Sequence, residues 1–382
     1  MEWLLLLSLP LALSAPIYED RELVFVQALW RHGQRAGNGE DHLHDKTLFK
    51  YGIGELTEAG IENTYNLGRW LRRRYVDDDK FLSPVMNPKE LFIESVDVNR
   101  CLMSAESVGQ GMYNADGRNP PLPVAVHSRP KKTDWVLGLT WSNCPAIGRE
   151  FSRICPDFPD ITTLTSYNDY SAETFRCTNA SQHATFFNTK EKYLLIDALI
   201  ALEQAGAKLP DWYTPQLRQE AKEMGQKSNH FQLGIGEFHN ENILRYNTGL
   251  LLDTLQSELA HKWACSQGVT QNCSDIQPIK FRAFSTQDWV LNSLLEALGQ
   301  GARLVALNPQ GSPQYNALVL IELWKIRGSP YVKILYRPDA YKEQATVLTP
   351  YIGGCRQEYC SLDVFGSCCG NTKTRNPEQE CR

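Results

Sequence analysis

The sequence predicts an α/β fold: an open mixed, mostly parallel sheet flanked by helices, with a helical cap inserted into it. Three observations carry this. Residues 23–30 form a near-continuous apolar run, the pattern of a strand buried on both faces. Apolar residues then recur at three- and four-residue spacing from Ile61 to Tyr75, the pattern of an amphipathic helix. Finally, the passage from strand through turn to helix occurs three times, each time with charged residues at the junction.

The first strand stops at Arg31-His32-Gly33, and the first helix starts after Thr57, a side chain suited to capping. A second strand over 91–95 leads through Asp97-Val98-Asn99-Arg100 into a helical stretch carrying Leu102, Ala105 and Val108. A third strand over 279–284 leads through Ser285-Thr286-Gln287-Asp288 into a helix with Val290, Leu291, Leu294, Leu295 and Leu298 on one face. Residues 317–324 and 331–336 read as a hairpin closing one edge of the sheet. The stretch between, rich in proline turns around 120–130 and in helical runs such as 193–204, reads as a cap. The expected organisation is an α/β core over 16–110 and 236–345, a mostly helical cap over 111–235 and a disulfide-rich tail over 346–382.

Residues 1–15 have the apolar run and small-residue end of a secretory signal peptide, although Glu2 precedes the run where a basic residue is usual. Eleven cysteines follow it, a number suited to an oxidising compartment, and Cys101 is the expected free thiol. Asn179 and Asn272 begin glycosylation sequons. With 39 Lys and Arg against 44 Asp and Glu, a net charge of -5, no whole-chain footprint for nucleic acid exists. No later apolar run is long enough to span a bilayer. A secreted or lumenal protein, extracellular or lysosomal, is expected.

The chemistry concentrates at Arg31-His32-Gly33-Gln34-Arg35, placed after a buried strand where open α/β sheets hold their ligands. Two guanidiniums, planar forks for phosphate oxygens, flank an imidazole that can accept a phosphoryl group and release it. No His-Glu-x-x-His helix, nucleotide-binding glycine fingerprint or Gly-x-Ser-x-Gly elbow competes with it.

These residues resemble the histidine acid phosphatases of the phosphoglycerate mutase-like histidine phosphatase superfamily, the prostatic and lysosomal type. The family's Arg-His-Gly-x-Arg-x-Pro signature is similar to Arg31-His32-Gly33-Gln34-Arg35-Ala36-Gly37, with Gly37 in place of proline and a looser loop expected there. Residues 93–105 resemble the block that supplies a third phosphate-clamping arginine, here Arg100. The family's His-Asp pair corresponds to Gln287 and Asp288, so the histidine is missing. The resemblance implies hydrolysis of small phosphate monoesters: His32 as nucleophile, Asp288 as proton donor, Arg31, Arg35, Arg100 and Gln287 as phosphate ligands, with no metal or cofactor. It also suggests a homodimer. A neutral amide in place of an imidazolium costs about 1 to 2 kcal/mol, or 5- to 30-fold in rate, if it acts in the transition state. Reduced activity, or a phosphate-ester-binding protein or antigen that has lost turnover, is the alternative. The resemblance also implies a Cys355–Cys360 bridge and a bond from Cys144 to one of Cys368, Cys369 or Cys381 at the far C-terminus, Cys381 being favoured by position. Cys155 with Cys177 and Cys265 with Cys273 are the expected local pairs.

Overall fold

The computed structural model describes residues 20–39, 43, 45–114, 117, 121–138, 144–178, 190–308 and 311–382. The expected signal peptide and Asn179 lie outside these residues. At the centre is one sheet of eight strands, β1 (Arg21–Arg31), β2 (Leu91–Val96), β3 (Val126–Arg129), β4 (Phe281–Thr286), β5 (Leu318–Ile326), β6 (Ser329–Arg337), β7 (Thr346–Val347) and β8 (Cys360–Ser361). Their order is β3-β2-β4-β1-β5-β6-β7, with β8 also pairing β6. The half from β3 to β1 is parallel and the half from β5 onward antiparallel.

Strand β1 shows why the sheet is double-faced. Phe25 and Leu29 join the core under one helical layer, whereas Val26, Ala28 and Trp30 join the core on the other face, a period of two with apolar residues both ways. All five are fully buried, and each of the larger ones contributes about 1.5–3 kcal/mol. The hairpin β5–β6 turns on Arg327 and Gly328, both at positive φ (50° and 79°), a two-residue connection tighter than the six-residue separator read from the sequence. It extends the sheet beyond β1 rather than ending it, because β7 and β8 add to β6. Strand β3 joins the opposite edge from within the stretch read as cap.

One face carries helices α1 (Glu58–Arg72) and α2 (Asn99–Tyr113), packed backbone to backbone. A Cβ on Gly68 would stand 2.1 Å from the Val108 carbonyl oxygen, and one on Gly111 2.0 Å from that of Tyr65. That close approach rotates the buried side of α1 onto Thr64, Leu67, Gly68 and Leu71, leaving Ile61 and Tyr65 half-buried. Thr57 caps α1 as expected, its hydroxyl accepting from the Gly60 N–H.

Helices α3 (Pro145–Ile154), α4 (Tyr167–Cys177), α5 (Lys190–Gln204) and α6 (Pro215–Leu233) lie in the cap stretch. Helices α7 (Glu241–Ser266), α8 (Asp288–Leu298) and α9 (Gln300–Leu307) cover the second face of the sheet. Four disulfides form: Cys144–Cys381, Cys155–Cys177, Cys265–Cys273 and Cys355–Cys360. Cys144–Cys381 ties the start of α3 to the end of the chain across 237 residues. Cys101 is free and buried, as are the Cys368 thiol and, half-buried, that of Cys369. Asn272 is exposed, at φ 65°. No helix among the described residues is long and apolar enough to cross a membrane.

Candidate active site

The register of the parallel half gathers the three charged junctions. Arg31 pairs with Thr286 and Trp30 with Ser285, while Ser95 pairs with the same Ser285, so β1, β4 and β2 end together. His32 follows β1, its backbone N–H donating to the Thr286 carbonyl (2.9 Å). Gln287 and Asp288 follow β4, Gln287 as the cap residue of α8 and Asp288 as its first helical residue. Arg100 lies in the first turn of α2. Two helix N-termini therefore face this sheet end, with the partial positive charge that favours an anion.

The loop that carries His32 is held without slack. A Cβ on Gly33 would stand 2.4 Å from the Gly60 carbonyl oxygen, and one on Gly60 2.1 Å from that of Gln34, so only glycines let the loop rest on the first turn of α1. The Gly33 N–H donates to Ser104 Oγ (3.1 Å), which itself donates to the Arg100 carbonyl (2.6 Å), coupling the first junction to the second.

His32 is 2 % exposed, and its Nδ1 lies 2.8 Å from the Gly33 carbonyl oxygen. A carbonyl only accepts, so Nδ1 carries the proton and Nε2 keeps a lone pair. Burial, then the charges of Arg31, Arg100 and Arg35, hold the imidazole well below its ordinary pKa, leaving it neutral in mildly acidic water.

Arg31 and Arg35 have both terminal nitrogens anchored by the protein, and Arg100 has one. Arg31 donates from Nη1 to the Pro313 carbonyl (2.8 Å), pairs through Nη2 with Asp288 Oδ2 (3.1 Å), and lies over the Tyr315 ring at 4.2 Å. Arg35 gives both terminal nitrogens to Asp197, at 3.0 and 2.9 Å. Arg100 donates from Nη2 to Gln287 Oε1 (2.9 Å). Yet the Nε–H of all three is buried without a hydrogen-bond partner. Buried donors are rarely left unpaired, and an unmade bond costs about 1–3 kcal/mol, more when the group is charged. Three such donors around one neutral imidazole form a ready place for an oxyanion.

The sequence-predicted residues His32, Arg31, Arg35, Arg100, Gln287 and Asp288 thus meet at one sheet end. Gln287 does more than fill a missing position: its carbonyl oxygen orients Arg100, which an imidazolium, having no acceptor, could not do. The loop at Gly37 is not loose as expected. A Cβ there would stand 2.6 Å from Ala198 Cα, so glycine admits the cap helix α5 against the loop. Asp197, Tyr315 and Pro313 belong to the site and were not anticipated. Asp197 has a readable signal in sequence, a lone carboxylate within the apolar run 194–202. A cavity of 580 Å³ opens on Arg31, Arg35, Asp288 and Tyr315 and extends to Asp197 and His230; the buried His32 and the half-buried Arg100 stand behind these lining residues. Among the described residues, His261, Cys265 and Cys273 stand close enough to hold a metal ion, but the two sulfurs are bonded to each other.

Residues 22–337 match the model of the histidine phosphatase superfamily (branch 2). The chain is 27% identical to the lysosomal acid phosphatase of Xenopus laevis over 97% of its length and 81% of that protein. It is 26% identical to the prostatic acid phosphatase of Homo sapiens over 94% of its length and 88% of that protein. Among solved structures, the Hafnia alvei phytase in complex with tartrate superimposes with a TM-score of 0.64 at 15% identity, covering 95% of this chain and 99% of that one, a likeness of fold.

Proposed function

The chain belongs to the histidine phosphatase superfamily, branch 2, and on that premise we propose that it is a secreted or lumenal acid phosphatase acting on small phosphate monoesters through a phosphohistidine. The observation that carries the reading is the set of three orphaned guanidinium Nε–H groups around a neutral His32. His32 Nε2 attacks phosphorus as the ester P–O bond breaks, while the arginines neutralise the equatorial oxygens. The Gly33 carbonyl, accepting from Nδ1, supports the positive charge that the ring gains on forming the N–P bond. Asp288, within the cavity and 39 % exposed, gives its proton to the departing alkoxide. It then takes one from the water that cleaves the N–P bond, releasing phosphate and neutral His32.

No metal enters these steps, since the guanidiniums supply the positive charge. Export fits the leader-like residues 1–15, the four disulfides, and the lysosomal and prostatic acid phosphatases among the relatives. Turnover of p-nitrophenyl phosphate by the purified chain in acid, undiminished by a chelator, tests the reading. One observation favours a second reading, a phosphate-ester-binding protein without turnover: the neutral Gln287 is bonded to Arg100 where the family's histidine would stand. Tight phosphate binding with no hydrolysis would select it.

A further inference from the structure

Helix α5 of the cap brings a carboxylate to the clamp. Asp197 accepts four hydrogen bonds: from Arg35 Nη2 on Oδ1 (2.9 Å), and on Oδ2 from Arg35 Nη1 (3.0 Å), the Asn38 backbone N–H (2.7 Å) and Asn38 Nδ2 (3.1 Å). Burial pushes its pKa up, but the charge and hydrogen bonds of Arg35 outweigh that, and the carboxyl stays below its usual range. Two more contacts fix the same helix to the same loop. Gln34 Nε2 donates to the Gln204 carbonyl (2.7 Å), and Gly37 allows the backbone at Ala198 to approach.

A guanidinium has two usable edges, and this geometry divides them. Asp197 occupies the Nη1–Nη2 edge of Arg35, whose Nη1 also donates to the Ala36 carbonyl (2.8 Å), while the Nε–H is left buried and unpaired three residues along the same loop from His32. We propose that Asp197 is a positioning residue of the phosphate clamp: it holds Arg35 so that its Nε edge meets the phosphate, and it fastens the cap to the loop that carries His32. The proposal rests on the phosphatase reading for its kinetic part and on anion binding alone for the rest.

Without the carboxylate, Arg35 can turn its terminal edge inward and the clamp gains one net positive charge. A phosphate dianion should then bind more tightly in the ground state, while the in-line geometry needed for transfer to His32 is lost. Affinity and turnover should move in opposite directions, which a merely structural defect would not produce.

The test is a calorimetric titration of inorganic phosphate into wild type and Asp197→Asn, with kcat and KM measured on p-nitrophenyl phosphate. Asp197→Asn should bind phosphate about tenfold more tightly, from removal of one charge at short range. Its kcat should fall about tenfold or more. Asp197→Glu, which restores the charge, should return phosphate affinity toward wild type. Gly37→Ala, which displaces the helix without changing charge, should lower kcat with no gain in affinity. Phosphate affinity unchanged or weakened in Asp197→Asn, with or without a fall in melting temperature, would overturn the proposal. If wild type binds phosphate but hydrolyses no ester, the phosphatase reading fails, and the titrations still decide whether Asp197 sets the clamp. Wild type that binds no phosphate overturns both.

Discussion

The two carboxylates that touch the clamp come from different regions. Asp288 stands where β4 meets α8 and pairs with Arg31; Asp197 stands midway along a cap helix and pairs with Arg35. Asp288 owes its place to sheet register, since Thr286 is hydrogen-bonded level with Arg31 and the chain has two residues in which to arrive. Asp197 owes its place to packing of α5 on the loop that carries His32, at Gly37, a contact between segments about 160 residues apart. The core end of the site is therefore built by hydrogen-bond ladders and the cap end by side-by-side fit. Substitutions at the core end should remove the chemical step itself, and those at the cap end should shift phosphate affinity and turnover through the placing of Arg35.

The largest effect expected is at the core end. His32→Ala should abolish hydrolysis, a loss of about a thousandfold or more for a nucleophile, with an unchanged melting transition. Residual turnover within tenfold of wild type would move the chemistry away from His32. Next comes Asp288→Asn, expected to slow alkyl phosphates by about a hundredfold or more and p-nitrophenyl phosphate much less, because a good leaving group hardly needs a proton. Equal slowing of both esters would make Asp288 a holder of Arg31 rather than an acid.

Gln287 sharpens the comparison. Gln287→Ala removes the acceptor that orients Arg100 and should lower kcat/KM about tenfold, the worth of one hydrogen bond to a charged group. Gln287→His should sit closer to wild type near neutral pH, where a neutral ring can accept from Arg100 with one nitrogen and donate with the other. In acid the protonated ring loses that bond but gains charge against the phosphate. The smallest effect belongs to the cap: Gln34→Ala, which cuts one tie to α5, should alter kcat/KM by less than about threefold. A drop as large as that of Gln287→Ala would erase the distinction between the two ends.

What could be read from the sequence follows the same division. The strand ends and their charged junctions were legible because a buried strand announces itself by apolar run and its stop by polar residues, as at Trp30 and Arg31. The resemblance supplied Arg100, Asp288 and the long bridge from Cys144 to Cys381, which no local pattern could give. Asp197 stands out in sequence only as a lone carboxylate in an apolar run, and nothing in its spacing relates it to Arg35. Gly37 was misread for a related reason: a glycine in a loop suggests freedom unless the element that packs against it is known. Gln287 looked like a loss because its partner, Arg100, lies 187 residues away and shows only in space.

The central claim is that a neutral His32, inside a clamp of unpaired guanidinium donors, carries the phosphoryl group. Its depressed pKa gives the claim a sign. An ordinary histidine would be mostly protonated and unable to attack below its usual pKa of about 6.5, whereas burial and the three arginine charges should let His32 keep its lone pair into acid. The direct measurement is rapid quenching of the enzyme with labelled phosphate ester across a series of pH values below 6.5, followed by mapping of the label. The account predicts acid-labile, alkali-stable label on His32 whose formation does not fall as pH drops through 6.5. Label absent at every pH while turnover proceeds, or formation that declines along an ordinary histidine titration, would contradict it.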